Sequence, residues 1–565
     1  MSLPNVLFVM TDQQRWDSAG CYGTTCIETP ALDSLARDGA RFDRCYCTNP
    51  ICTPSRASIW TGRHLPGHGV YRLDDILGSD QVLFSEYLKE AGYKTGLFGK
   101  LHVSGRMYEN DNRHPHDGFD EYEWALEGPL DMDAPHHAYA KWLEQQDPEV
   151  SAKMREQGRD LLHIPRHLHF THWACERGRD FIRRRASDPD PFFCCISVFD
   201  PHNPYEDYPE EYRARVDVSK LPPVLDDTRI DVPAEVERER QGSYLGDINK
   251  FSAKDIEEMR IGYYASIALF DDELGETLKL LDELGITDNT LVIFVSDHGD
   301  MLGDHRMLVK GAMFYDACTR IPFLMRWPGQ VPAGTVVNAP VQPHDIAATV
   351  LSAAGLSLSD KLPEAAAAPE LVAQDLLPVV AQAAATAGPD AAASPAAASP
   401  AADGDGVTPE VGRDVAVCLY RNTGINRITR DWDPPIHGSM IFDGRYKLSL
   451  FHGPGAADKG TGAADNGSGA GGDNGEPAPG VGSSAVSEGR PRGELYDMDS
   501  DPDELHNLWR SAEFQEVRSR LTMRLLNWLA GADISYLGSR GGTAVVTPDR
   551  FVANTIDKSR GERHG

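Results

Sequence analysis

With 565 residues, the chain is too long for one small core and long enough for a large domain with a smaller companion. Its 55 Lys and Arg face 86 Asp and Glu, a formal charge of −31, so its surface repels phosphate backbones and anionic lipid and excludes nucleic acid and membranes as expected partners. No uninterrupted apolar run is long enough to cross a bilayer.

In chain order, Met1 to Pro4 lead straight into an apolar run at 6–10, with no charged segment, apolar stretch and cleavage site ahead of it. A secretory signal is therefore not expected. The ten cysteines form no CxxC pair, so reduced, buried thiols in a cytoplasmic protein are the expectation. Near-continuous apolar runs at 6–10, 93–98, 192–199 and 291–295 predict strands buried on both faces. Helical spacing predicts helices over 31–38, 84–91, 173–184 and 254–284, the last opened by Ser252 and Asp255 as a capping box. This alternation predicts an α/β sandwich around a mostly parallel sheet.

Residues 381–409 and 454–493 break the pattern. Both are built from Ala, Gly, Pro, Asn and Asp, and neither buries enough apolar surface to offset its ordering entropy, so both are expected to be disordered. Strands over 415–420, 440–442, 446–451 and 495–498 and a helix over 514–529 predict a small α+β unit. The expected organisation is a catalytic domain over 1–380, a low-complexity linker over 381–409, and a C-terminal α+β domain over 410–535 carrying the insert 454–493. A tail over 536–565 completes it.

The residues after the long strands carry the chemistry. The first runs into Thr11-Asp12-Gln13, the second into Gly99-Lys100-Leu101-His102, the third into Asp200-Pro201-His202-Asn203, and the fourth into Ser296-Asp297-His298-Gly299. Ligands bind at the carboxyl ends of strands in open α/β sheets, so these residues point to one site with metal ligands and an oxyanion clamp. Taken singly, an Asp after a strand is more often a turn former, and a lone Lys or His is usually solvated. The segment Cys52-Thr53-Pro54-Ser55-Arg56 adds a nucleophile. Pro54 suits the first turn of a helix, which sets Cys52 at the anion-favouring N-terminus with Arg56 one turn on. On its own, that argument makes Cys52 no more than a thiol of low pKa.

The stretch from Cys52 through Thr61-Gly62-Arg63 resembles the sulfatase signature, C-x-P-S-R followed by T-G-R. A second block, Gly92 to His102, and a third, Ser296-Asp297-His298-Gly299-Asp300 through Gly303-Asp304-His305 to Lys310, resemble the same family, which belongs to the alkaline phosphatase superfamily. The resemblance implies an alkaline-phosphatase-like α/β fold with a small C-terminal sheet domain. It also implies that Cys52 is oxidised to formylglycine by a formylglycine-generating enzyme, the one expected protein partner. The implied metal ligands are Asp12, Gln13, Asp297, His298 and the modified Cys52. Calcium is the first choice of metal, with Mg²⁺, Mn²⁺ and Zn²⁺ as alternatives, because Gln13 and His298 stand where many sulfatases carry Asp and Asn. The implied substrate is a sulfate monoester. A hydroxyl of the formylglycine hydrate would attack sulfur, with Arg56 and Lys100 orienting the diol and binding sulfate oxygens. Lys310 and His202 would aid departure of the alcohol, and His102 would take the proton that regenerates the aldehyde.

Two other readings stand beside this one. A phosphonate or phosphate monoester hydrolase of the same superfamily also carries C-x-P-S-R and resembles the Gln13 pattern, whereas Lys100 and His102 weigh against it. The other is a pseudo-enzyme whose cysteine is never converted. His114, His116, His136, His137, His163, His167, His169 and His172 are spaced too irregularly for a second metal site and read as loop residues, one or two of which line the pocket. Arg421, Asn422 and Trp432 are further pocket candidates. Aryl, choline, alkyl and sugar sulfates all remain open as substrates.

Overall fold

The computed structural model describes residues 3–229, 231–242, 245, 247–362, 371–386, 411–422, 432, 435–452 and 490–538, the last six by backbone alone. The four apolar runs form the strands β1 (Asn5–Thr11), β3 (Lys94–Gly99), β5 (Phe192–Ser197) and β6 (Thr290–Ser296). Along β1 the alternation is strict. Val6, Phe8 and Met10 enter one core layer and Leu7 and Val9 the other, so both faces of the sheet are buried. Four short strands escape the sequence reading: β2 (Ala40–Phe42), β4 (Glu121–Trp124), β7 (Phe323–Arg326) and β8 (Thr335–Val337). Strands of three or four residues leave no readable period, and β4 is a charged edge strand.

The eight strands run in the order β4-β3-β5-β1-β6-β7-β2-β8. Only β7 is antiparallel to its neighbours, β6 and β2. One layer packs the helices Cys52–Thr61 and Phe84–Glu90 against the sheet through Ile59, Trp60 and Leu88. The opposite layer packs Pro30–Asp38, Phe170–Arg185 and Ala253–Glu283 through Leu32, Trp173, Phe181 and Leu274. This is the expected α/β sandwich. The long helix starts at the capping box read from sequence, with Ser252 N–H donating to Asp255 at 2.7 Å and Asp255 N–H donating to Ser252 at 3.2 Å.

The second sheet is antiparallel, in the order β12-β11-β10-β9, from β9 (Ala416–Arg421), β10 (His437–Phe442), β11 (Tyr446–His452) and β12 (Gly493–Asp497). The helix Gln515–Gly538 follows, longer at its C-terminal end than expected and taking in the first residues assigned to the tail. Met440, Ile441 and Trp528 join the core layer that contains Trp60, so the small sheet shares a core with the large one. The low-complexity boundaries also shift. Residues 381–386 belong to the helix Leu377–Thr386, because alanine favours helix and the first turn buries Val379 and Val380. Residues 490–493 are ordered too, since Gly493 pairs with Leu450 as the start of β12. The remaining stretches, 387–409 and 454–489, lie outside the described residues. Among the described residues, no helix is long and apolar enough to cross a membrane.

Candidate active site

In the sheet order, β3, β5, β1 and β6 are neighbours and all parallel, so their carboxyl ends open on one place. Asp12 and Gln13 leave β1, Lys100 and His102 leave β3, His202 follows β5, and Asp297 and His298 leave β6. Cys52 meets them from the facing layer as the first residue of the helix Cys52–Thr61, every residue of which is buried. The sequence-predicted site residues thus converge.

Arg56 holds the carboxylates in place. Its Nε donates to Asp297 Oδ2 at 2.6 Å and its Nη2 to Asp12 Oδ2 at 3.1 Å. Its Nη1 donates to Lys100 O at 3.1 Å and Ser197 Oγ at 3.0 Å. With four N–H donors directed at protein acceptors, Arg56 acts here as a clamp on Asp12 and Asp297. Lys100 Nζ lies 2.5 Å from Asp12 Oδ2 and over the Phe199 ring. Burial opposes charge on Asp12, but Lys100 and Arg56 beside it hold its carboxyl far below the usual carboxylate range.

Lys310 gathers the rest. Its ammonium donates to Cys52 Sγ at 3.0 Å, His202 Nε2 at 2.9 Å and His298 Nε2 at 3.1 Å. Both imidazoles can only accept there. Their Nδ1 atoms face carbonyl oxygens, Asn203 O at 2.6 Å and Gly299 O at 2.9 Å, and so must carry the ring proton. Burial, with Lys310 alongside, pushes His202 down to about 3. Burial works against a Cys52 thiolate, yet Lys310 and Lys100 draw its thiol well below the ordinary value. His102 is pushed down to about 4 by burial and by Lys100, and its Nε2 lies 3.1 Å from Thr53 Oγ1.

Ligand atoms of Asp12, Cys52, Asp297 and His298 all lie within 4.8 Å of one another, and all four residues are buried. Gln13 adds a fifth donor. Its Nε2 donates to Asp300 Oδ2 at 2.6 Å, which turns Oε1 the other way. Among the described residues, Gln13 Oε1 and Asp12 Oδ1 are both buried without a hydrogen-bond donor. Bare buried acceptors beside a carboxylate and an imidazole lone pair fit a divalent cation.

Several contributors had no role assigned to them from the sequence. Glu109 accepts the backbone N–H groups of His102, Val103 and Ser104 and the indole N–H of Trp124. Asp300 and Asn203 orient Gln13, and Phe199 stacks on His202 with ring centroids 4.4 Å apart. Asn203, Phe199 and Asp300 lie in or beside the strand-end motifs, but their roles depend on partners from other strands. Five of the histidines between β3 and β5 do other work. His137 and His169 cap the starts of helices, His114 and His163 meet the carbonyls of Gly78 and Tyr208, and His172 pairs with Glu273. Arg421 donates to Gly438 O and Ser439 Oγ within the small sheet, Asn422 pairs with Ile436, and Trp432 lies under Arg238.

A family model described as Sulfatase matches residues 4–356. The chain is 30% identical to the ulvan-active sulfatase of Formosa agariphila over 63% of this chain and 63% of that protein, so it spans a little under two thirds of that relative's length. It is 33% identical to the arylsulfatase of Clostridium perfringens over 64% of this chain and 76% of that one. The fold is similar to the crystal structure of the phosphonate monoester hydrolase of Agrobacterium radiobacter, with a TM-score of 0.66 at 23% identity, covering 94% of this chain and 96% of that one.

Proposed function

The chain belongs to the sulfatase family, a family of sulfuric ester hydrolases, and from that premise we propose that it hydrolyses a sulfate monoester to an alcohol and inorganic sulfate, with formylglycine made from Cys52 as its nucleophile. The observation that carries this reading is the setting of Cys52. It is buried at a helix N-terminus, hydrogen-bonded to Lys310, and grouped with Asp12, Asp297 and His298 in one potential ligand set.

A divalent cation, calcium by preference, would be held by Asp12, Gln13, Asp297, His298 and residue 52, and would supply Lewis-acid polarisation of the attacking oxygen. Arg56 bridges the two carboxylates and fixes their positions. Lys100, paired with Asp12 by one ion pair, is the cation that would meet a sulfate oxygen once substrate enters. The leaving oxygen needs a proton, and in the Lys310–His202 pair that proton sits on Lys310, since His202 Nε2 is an acceptor. His102 then takes the proton whose loss regenerates the aldehyde. In this reading residues 1–380 form the catalytic domain and 410–535 a smaller domain docked on it.

Mass spectrometry of the Cys52 peptide, paired with turnover of 4-nitrophenyl sulfate, tests the proposal. Conversion of the thiol to an aldehyde should track activity, and co-expression with a formylglycine-generating enzyme should raise both. Full activity with an intact thiol would overturn it. A second reading, phosphonate monoester hydrolysis, rests on one observation: an amide at Gln13 in place of a carboxylate lowers the negative charge around the cation.

A further inference from the structure

We propose that Thr53, the variable residue of the C-x-P-S-R segment, is a positioning residue that fixes the tautomer of His102, so that Nδ1 is the atom that accepts the proton during sulfate release. The proposal rests on the sulfatase reading above for the identity of the step, and on hydrogen-bond chemistry for the identity of the atom.

A threonine hydroxyl has one proton to donate. Thr53 Oγ1 lies 2.8 Å from the carbonyl oxygen of Leu73, which can only accept, so the hydroxyl proton is committed to Leu73. Thr53 Oγ1 also lies 3.1 Å from His102 Nε2. With its proton committed, Oγ1 must accept there, and His102 must carry its hydrogen on Nε2. Nδ1 is then a bare lone pair, buried and, among the described residues, without a hydrogen-bond donor. Thr53 is fully buried and His102 is 4% exposed, so water competes poorly for either atom.

The backbone around His102 is equally constrained. His102 sits at φ 58°, in the left-handed region that a β-carbon disfavours, and Glu109 Oε2 holds its N–H at 3.0 Å. Glu109 Oε1 takes the next two N–H groups at 2.7 and 2.9 Å. The ring held this way interacts with the Cys52 side chain, and its Nε2 is tied to Thr53. In the release step the remaining hydroxyl gives its proton to Nδ1, and its O–H electron pair becomes the second bond of the aldehyde C=O. Sulfate leaves with the electron pair of the C–O bond that breaks. Addition of one water restores the hydrate.

The tautomer is read directly by ¹⁵N NMR of histidine-labelled full-length protein at neutral pH, which distinguishes a bare ring nitrogen from a protonated one. His102 should show a bare Nδ1 in the wild type and in Thr53→Ser, which keeps the hydroxyl. Thr53→Val keeps the shape and loses the acceptor, so the two tautomers should become mixed. Turnover of the converted fraction, counted by peptide mass, should fall about ten- to a hundredfold, the range for losing a partner that orients a functional histidine, with KM little changed. Thr53→Ala serves as a second variant should the valine disturb folding. A protonated Nδ1 in the wild type, or an unaltered tautomer in both Val and Ala variants, would overturn the proposal. An unconverted Cys52 in active wild type would instead sink the formylglycine reading and leave the tautomer measurement standing.

Discussion

Among the described residues, two buried clusters pair a lysine with carboxyl groups, and they differ in one respect. At the site, Lys100 lies 2.5 Å from Asp12, and Arg56 bridges Asp12 and Asp297. Between the two sheets, Lys447 of β11 lies 2.5 Å from Asp316 and 2.6 Å from Glu504. In the second cluster every carboxylate oxygen has a cation or donor within 3.4 Å, Glu504 Oε1 through its ion pair with Lys447. Asp316 also takes Tyr46 OH and Arg320, and Glu504 Oε2 takes the Asp316 N–H at 2.5 Å. The first cluster is different, because among the described residues Asp12 Oδ1 and neighbouring Gln13 Oε1 have no donor, and Lys310 Nζ is 4.0 Å from Asp12 Oδ1. A closed network docks one part of a protein on another, whereas buried acceptors left open need a ligand to satisfy them. The clusters have similar charge chemistry and opposite uses.

The sharpest way to break this comparison is at the open cluster. Cys52→Ala should abolish turnover while leaving the thermal transition near that of wild type, since no core layer depends on the thiol. Lys100→Ala should lower kcat/KM on 4-nitrophenyl sulfate by about two to four powers of ten, the scale of one preorganised oxyanion contact. His102→Ala should allow one turnover and then stall with sulfate bound covalently to residue 52, visible by intact mass. The same assay discriminates the two hydrolase readings. 4-nitrophenyl sulfate should exceed 4-nitrophenyl phenylphosphonate in kcat/KM, and a preference for the phosphonate with a mild Lys100 effect would make the second reading the better one.

The closed cluster should answer differently. Lys447→Met leaves Asp316 and Glu504 facing each other without their cation, and should cost about 3–5 kcal/mol in urea unfolding with little change in kcat of the folded fraction. A smaller effect concerns pH. Burial and the Asp316 charge push Glu504 up to about 8 in spite of Lys447, so the folded protein holds a proton that the unfolded chain releases above its ordinary carboxylate range. A raised folded pKa means stability that is complete at low pH and is lost as pH rises from about 4.5 to about 8. Glu504→Gln should flatten that part of the stability–pH curve, and an unchanged slope would argue against a proton there. The smallest effect is expected from replacing residues 387–409 or 454–489 by short Gly-Ser loops, since closure entropy depends weakly on loop length. A large loss of turnover in either would assign that stretch to the pocket.

Much of the site was legible because strand-end residues follow long apolar runs, and because Pro54 marks a helix start beside Cys52. The role of Arg56 was less so. Sequence places it one turn from Cys52, and the resemblance to sulfatases implies sulfate binding, but Asp12 and Asp297, 44 and 241 positions away, take two of its N–H groups, and Lys100 O and Ser197 Oγ take two more. Glu109 and Phe199 were missed for the same reason: Glu109 belongs to no pattern, Phe199 reads only as the end of an apolar run, and each matters through the residue it touches.

By itself, the sequence determined the α/β class, the long strands, the capping box at Ser252 and the identity of the converging residues. These rest on local periodicity and on chemistry carried by adjacent residues, both readable along a single chain. Only the tertiary structure decided the order β3-β5-β1-β6, the tautomers of His202 and His298, the open oxygens of Asp12 and Gln13, and the closed Lys447 network. Each depends on which groups far apart in sequence come within about 3 Å, the range at which a hydrogen bond forms and a buried group is satisfied or left open.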